Sequence, residues 1–302
     1  MSEDRLDVAV VGNVGIDTCV FLYGRDVDWS VEANFTQNID YVGQAGGFTS
    51  RGYAQLGKRT AFIGTVGDDW GGRLVREAFA ADGVDTTGLW VDAAGTSRSV
   101  NIMYSDGRRK NFYDGKGQMD VRPDLDACRD LLRGARVLHA HLENGCRDLL
   151  PLARELDVTV SVDLQDVIAL DDPYRREFVL GADVIFFSCV NWPDPRPAVE
   201  HFLRAPHARV VIGGRGADGV VVGTRDGIRC VPPATLPEPV VDTNGAGDAL
   251  ATAFLAAHVF DGRPVDDSVA RGQLAARWCC TRRADSGSLI TRAELDALAA
   301  RR

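Results

Sequence analysis

The sequence predicts an α/β fold built on a mostly parallel central sheet. Three observations carry that expectation. Short continuous apolar runs read as strands covered on both faces, helical patterns separate them, and glycines mark the junctions. The 302 residues allow one large α/β unit or about two domains, and are long enough to bury a core without metal or disulfide staples.

The first run, Val8–Val11, ends at Gly12. Residues 61–63, 137–138, 158–162, 184–187 and 209–212 read the same way, as buried strands. Between them, residues 69–82 place Leu74, Val75, Ala78 and Phe79 at helical spacing, with Gly83 where a C-cap falls. Residues 149–156 and 199–203 read as further helices. Two stretches break the rhythm, about 18–42 and 97–115. Both are rich in alternating β-branched and aromatic residues, and residues 98–104 and 110–113 around Asp106-Gly107 read as a hairpin. The two pieces form either one small sheet beside the main layer or separate surface hairpins.

Composition narrows the function. The net charge of −9 disfavours nucleic-acid binding, because phosphate neutralisation supplies most of that affinity. A phosphorylated ligand stays open, since a few local donors can outweigh the global field. The seven scattered cysteines lack any CxxC pair and fit a reduced, cytoplasmic setting. The charged start Met1–Asp7 is unlike a signal peptide, and the apolar run at 249–260 stops short of the ~20 residues that cross a bilayer.

The segment Asp242-Thr243-Asn244-Gly245-Ala246-Gly247-Asp248 carries the chemistry. An apolar stretch enters a glycine-rich turn and then a helical run. Small side chains leave the N–H groups and the helix N-terminus open to an anion. Asp248 stands at the mouth, expected to be ionised beside the positive end of the dipole and placed to take a hydroxyl proton.

This segment closely resembles the C-terminal signature of the PfkB, or ribokinase-like, carbohydrate kinases. Other residues fall in that family's order: Val10–Asp17, the glycine signature at 43–57, residues 62–69 and Gly83-Val84-Asp85. The resemblance implies a single three-layer kinase domain over 1–302, with the 18–42 and 97–115 pieces as a β lid that excludes water and pairs with a second subunit. It implies ATP and Mg²⁺, with K⁺ beside Asp242 and Asn244. Asp248 would be the base, and Gly245, Ala246 and Gly247 the anion hole. Asp17, Gly43, Gly46, Gly47, Phe48 and Glu143 would meet the acceptor, Glu143 having capping or surface exposure as its plain alternative. Ser188, Gly213, Gly214, Arg215, Gly216, Gly247 and Gln273 would meet the nucleotide.

The sequence departs from the family at three places. Phe48 stands where many members carry a sugar-binding Asn, Ser188-Cys189-Val190-Asn191 replaces NxxE, and Val211 replaces a Thr. Gly214–Gly219 also matches GxGxxG, but the apolar and turn residues after it read as a hairpin, which disfavours a dinucleotide site. His139 and His141 read as core or rim histidines without an acid pair at ligand spacing. The aromatics Trp29, Phe35, Tyr41, Tyr104, Phe112 and Tyr113 read as a lid face packing on a partner lid, or as a stack for a nucleobase. Arg108, Arg109 and Lys110 read as a solvated turn, from which one cation could reach a phosphate.

The expectation is an ATP-dependent kinase acting on a hydroxyl of a small sugar or polyol. A nucleoside kinase is the alternative, and a non-catalytic binding relative a lesser one.

Overall fold

The computed structural model describes residues 6–301. Most of the segment tested for a leader, residues 1–5, lies outside them. The chain runs β1 (Val8–Val11), β2 (Gly15–Leu22), β3 (Thr36–Gly43), α1 (Gln44–Gln55), β4 (Thr60–Val66), α2 (Trp70–Asp82), β5 (Asp85–Val91) and the hairpin β6 (Ser97–Met103) and β7 (Arg109–Asp114). It continues through α3 (Leu125–Gly134), β8 (Val137–Ala140), α4 (Asn144–Glu155), β9 (Thr159–Asp166), α5 (Pro173–Gly181), β10 (Val184–Ser188), α6 (Arg196–Leu203) and β11 (Val210–Gly214). The antiparallel pair β12 (Val220–Thr224) and β13 (Gly227–Val231) follows, then α7 (Ala246–Leu255), α8 (Val265–Cys279) and α9 (Arg292–Ala299).

The large sheet has the order β13-β12-β11-β10-β9-β8-β1-β4-β5, parallel from β11 to β5. The apolar runs are explained by what lies on each side. Ala9, Val11, Leu138, Val160 and Ile185 pack toward α3–α6 through Leu132, Leu149, Phe178 and Phe202. Val8, Val10, Phe62, Val184 and Phe186 pack toward α1, α2, α7 and α8 through Tyr53, Phe79, Phe254 and Val269. The apolar runs of the central strands are therefore buried, whichever way a side chain alternates, while the edge strands β5 and β13 keep exposed positions.

Helix boundaries follow local chemistry. α2 begins where Asp69 accepts from the Gly72 N–H at 2.9 Å and ends at Gly83 in a left-handed C-cap, φ +71°. α4 starts five residues before its apolar pattern does, since its first turn is mostly polar apart from Cys146. The GxGxxG segment enters a 3₁₀ turn and the β12–β13 hairpin, with no helix for a dinucleotide to cap.

The two stretches that broke the rhythm form one sheet, β3-β2-β6-β7, in which β2 and β6 pair in parallel across most of a hundred residues of chain. The β6–β7 turn closes at Gly107, φ +87°. A third apolar cluster lies beneath it: Cys19, Phe21, Tyr41, Phe48 and Met103 join Ala249, Ala253 and Leu274. It fixes the small sheet against α7 and α8.

One buried carboxylate ties the large sheet to its helical layer. Asp183 accepts from Arg154 Nη2 at 2.6 Å and Nη1 at 3.2 Å, and from the Val160 N–H at 2.9 Å. Removing it leaves the Arg154 guanidinium only the Gly181 carbonyl and strands the buried Val160 N–H. Asp183→Ala is expected to lower stability by about 3–5 kcal/mol, read by denaturant unfolding against wild type.

Candidate active site

The side chains singled out in the sequence gather at the carboxyl ends of the parallel strands, where open α/β sheets bind ligands. Gly12 and Asn13 follow β1, His141 and Glu143 follow β8, Asp163 lies near the end of β9, and Ser188 and Gly214 are register partners closing β10 and β11.

Asp17, on β2, is paired with Tyr41 of β3 and Ser99 of β6. Its Oδ2 accepts from the Gln44 N–H at 3.1 Å and the Tyr41 hydroxyl at 3.3 Å, while the buried Oδ1 has no partner. Burial pushes the Asp17 carboxyl above its ordinary value, and the Gln44, Ser99 and Tyr41 contacts pull it part of the way back. Gly43 is required here, for a Cβ would lie 2.3 Å from Asp17 Oδ2. Gly46 donates its N–H to the Asn13 carbonyl at 2.8 Å, and a Cβ on it would lie 2.6 Å from that oxygen. Gly46 thus lets α1 crowd onto the loop after β1, and Gly47 packs on Val14.

Glu143 occupies the N-cap position of α4, yet its side chain caps nothing. It is 9% exposed, its Oε1 lacks a partner, and it lines a small cavity with Gln118, Trp90 and Thr65. This excludes both the capping and the surface reading. Burial pushes its carboxyl up to about 8. A chain of polar contacts crosses the same space: Tyr113 Oη donates to Gln118 Oε1 at 2.6 Å, and Gln118 Nε2 to Ser97 Oγ at 2.9 Å. Ser97 Oγ in turn donates to Gln44 Oε1 at 2.8 Å, and Gln44 Nε2 is left unpaired. Buried polar atoms without partners call for hydroxyl groups, which a sugar-like molecule supplies.

The glycine turn is as open as its composition implied. Gly245 is the N-cap of α7 in left-handed conformation, φ +76°, and a Cβ there would lie 2.3 Å from the Phe48 ring. No side chain caps the helix, and no atom lies within 4 Å of a Cβ built on Gly247. The first-turn N–H groups therefore present a cradle for an anion. Phe48 has a different place from the one expected. At 3% exposure it is the floor of this turn, edge-on to Tyr41 at 5.9 Å, and offers neither a hydroxyl partner nor an open stacking face.

Asp248 lies in the first turn of α7, half-buried, and its Oδ1 accepts from Thr49 Oγ1 at 3.3 Å. Thr49 Oγ1 is also 2.9 Å from His141 Nε2. Donor atoms of His141, Asp163 and Asp248 all lie within 4.8 Å of one another. Through Thr49 and by proximity, His141 and Asp163 form the surroundings of Asp248. Burial and then the Asp163 carboxylate push Asp248 above its ordinary value, while Thr49 draws it down. Burial first and the neighbouring carboxylate second outweigh the helix dipole of about half a charge, so the surroundings do not favour the ionised Asp248 expected from the helix terminus alone. Asp163 is itself pushed up to about 6 by burial.

Asp242 and Asn244 are engaged with each other. Asp242 Oδ1 accepts from Asn244 N and Nδ2, each at 2.9 Å, and Oδ2 accepts from the Ala284 N–H at 2.9 Å. Asn244 Oδ1 accepts from Arg109 Nη1; Arg109 is exposed, as expected, but opens strand β7 and does not lie in the turn.

On the other flank, Gly216 is open, φ +57°, and Arg215 lies 3.8 Å from Asp218. Gly213 serves packing, since a Cβ would lie 2.4 Å from Cys189 Sγ. Gln273 is buried on α8, and Val211 is wholly inside the core. Asn191 is exposed, and its Nδ2 donates to the Val167 carbonyl at 3.4 Å.

The family model described as pfkB family carbohydrate kinase matches residues 6–147 and 193–292. The chain belongs to this family. It is 31% identical to acarbose 7(IV)-phosphotransferase of Actinoplanes sp., covering 98% of both chains. It is 25% identical to a nucleoside kinase of Methanothermobacter thermautotrophicus over 86% of this chain and 84% of that one. Among solved structures, a microbiome-derived acarbose kinase superposes with a TM-score of 0.89 at 29% identity, covering 98% of this chain and 99% of that one. Arabidopsis thaliana ribokinase superposes at 0.81 with 21% identity over 98% and 99% of the chains, which establishes the ribokinase-like fold. The kinase is an ATP-dependent phosphotransferase with a sugar-like hydroxyl as acceptor. No helix among the described residues is long and apolar enough to cross a membrane.

The raised Glu143 carboxyl gives a signed stability effect. The folded chain holds that proton up to about pH 8, the unfolded chain only to about 4.5, so stability falls as pH rises between them. Glu143→Gln is expected to match wild type in melting temperature near pH 4.5 and to exceed it at pH 8. An offset that is the same at both pH values would overturn the assignment.

Proposed function

We propose that Asp248 is the base of this kinase and that the acceptor is a sugar or sugar-like polyol, with acarbose the first to try. The observation that carries the reading is a carboxylate in the first turn of a helix whose N–H groups no side chain caps. Asp248 takes the acceptor's hydroxyl proton as its oxygen bonds to the γ-phosphorus and ADP leaves. The N–H groups of residues 245–247 hold the charge on the phosphoryl oxygens, and Asp17 orients the acceptor with help from Glu143. Mg²⁺ bound with the nucleotide supplies further charge neutralisation. With Asn191 where a glutamate is usual, the kinase holds that ion less tightly through residues 188–191.

The same proposal takes residues 1–302 as one domain in the cytoplasm, where ATP is at hand, with the pieces at 18–42 and 97–115 as a lid. Trp29 and Phe35 of that lid are 90% and 84% exposed, which supports a homodimer formed through it. A monovalent cation such as K⁺ would have to share Asp242 with three N–H donors. Replacing KCl by choline chloride tests it.

A nucleoside acceptor is the second reading. The 25% identity to a nucleoside kinase favours it, and the closed position of Phe48 counts against it. A non-catalytic role has little support, because base and anion cradle are both present.

Turnover of ATP with Mg²⁺ is to be measured over acarbose, pentoses, hexoses, inositols and nucleosides. One sugar-like acceptor is expected to stimulate ADP release. Asp248→Asn is expected to lower that rate about 10²–10⁴-fold with ATP binding retained. Full activity in the variant would remove Asp248 from the role.

A further inference from the structure

We infer that Thr49 is a positioning residue of this kinase: its hydroxyl turns from the Ala45 carbonyl to the Asp248 carboxylate when that carboxylate ionises, and His141 holds the hydroxyl so that it can turn nowhere else. The inference deepens the reading of Asp248 as the base and rests on it.

One proton between two acceptors defines the arrangement. Thr49 is wholly buried on α1, and its Oγ1 lies 2.6 Å from the Ala45 carbonyl oxygen, 3.3 Å from Asp248 Oδ1 and 2.9 Å from His141 Nε2. A hydroxyl donates once and accepts twice. The tautomer of His141 follows from its surroundings. Burial keeps the ring neutral, pushing it down to about 3, so one nitrogen carries the hydrogen. Nδ1 is buried without a partner, and a buried N–H is left unpaired more rarely than a buried acceptor. The hydrogen is therefore on Nε2, and His141 donates to Thr49. With that side of the oxygen taken, the Thr49 proton has only Ala45 and Asp248 to choose between.

The parts are held in place. The His141 ring stacks on His139 at 5.0 Å, and His139 Nδ1 is 2.9 Å from the hydroxyl of Tyr53, one turn beyond Thr49 on α1. Gly12 leaves room for this pair, since a Cβ there would lie 2.7 Å from His141 Cβ. A Cβ on Gly52 would lie 3.2 Å from Thr252 Oγ1. This close approach of α1 to α7, one turn along from both Thr49 and Asp248, sets the spacing of hydroxyl and carboxylate. The titratable and charged groups facing Asp248 are Asp163 of β9, Arg109 of β7, Cys279 of α8 and, through Thr49, His141; His139 in turn faces His141. To these Thr49 adds a dipole that follows the charge of the base. Its donation favours the carboxylate against burial and Asp163. As the acceptor's oxygen bonds to the γ-phosphorus and ADP leaves, the acceptor's proton passes to Asp248. Thr49 keeps its own proton and turns back to Ala45, so the base loses that contact at the moment it must hold a proton.

The test is the titration of Asp248 in the whole chain, followed by carbon-13 NMR of labelled aspartate carboxyls, its resonance being the one that Asp248→Asn removes. Thr49→Val is expected to raise that titration by about one pH unit, since a hydrogen bond to the charged form is gone. Thr49→Ser keeps the hydroxyl and gives the wild-type titration. His141→Leu leaves the hydroxyl loosely held and raises the titration by less than Thr49→Val does. Thr49→Ala decides the matter if Thr49→Val does not fold. Nitrogen-15 shifts of labelled histidine are expected to show the His141 proton on Nε2. An Asp248 titration unmoved by loss of the Thr49 hydroxyl, or a His141 proton on Nδ1, would overturn the inference and leave the kinase reading intact. Full turnover in Asp248→Asn would overturn both the base and the role of Thr49 while leaving these titrations as expected.

Discussion

Negative charge crowded into little water is the constraint on which this site depends. Asp17, Glu143, Asp163 and Asp248 each carry a carboxyl pushed upward by burial, and all belong to a site that must admit a triphosphate. The chain meets the constraint with neutral donors. Uncapped N–H groups at α7, the Gln44 N–H on Asp17 and the Thr49 hydroxyl on Asp248 distribute partial charges around the acids. Such dipoles stay in place without drawing the acids into permanent ion pairs.

The same constraint explains the packing beneath. For the α7 N-terminus to stay open, Gly245 must take a left-handed turn directly on Phe48, and Phe48 must be held by Tyr41 and the cluster under the small sheet. A residue that reads as a lost hydrogen bond to substrate is thus part of the foundation of the anion cradle. Gly43 and Gly46 have similar duties, one leaving room for Asp17 and the other for the loop after β1.

Most of the fold was legible because burial on both faces leaves a strong local mark. Val8–Val11 and Val184–Phe187 can hardly be anything but covered strands, and Asp69 and Gly83 announce the ends of α2. The start of α4 was hidden because its first turn is mostly polar. In the site, Gly245–Asp248 could be read since its chemistry is contiguous. Thr49, His141 and Asp163 could not, because they reach Asp248 from α1, from beyond β8 and from β9, and nothing in their spacing shows that these ends converge. Arg109 could not be told from Arg108 and Lys110 in a run of three cations, since it is its contact with Asn244 that sets it apart.

The parallel pairing of β2 with β6 has a consequence for how the molecule is made. The strands of the small sheet are divided by α1, β4, α2 and β5, so β6 and β7 can join β2 and β3 only after that intervening chain has been laid down. Non-local pairing of this kind is slow, because the entropy of loop closure is lost before any contact repays it. Until then the β2–β3 ribbon has its β2 edge unpaired, so the small sheet is completed later than the strand pairs that flank it in sequence.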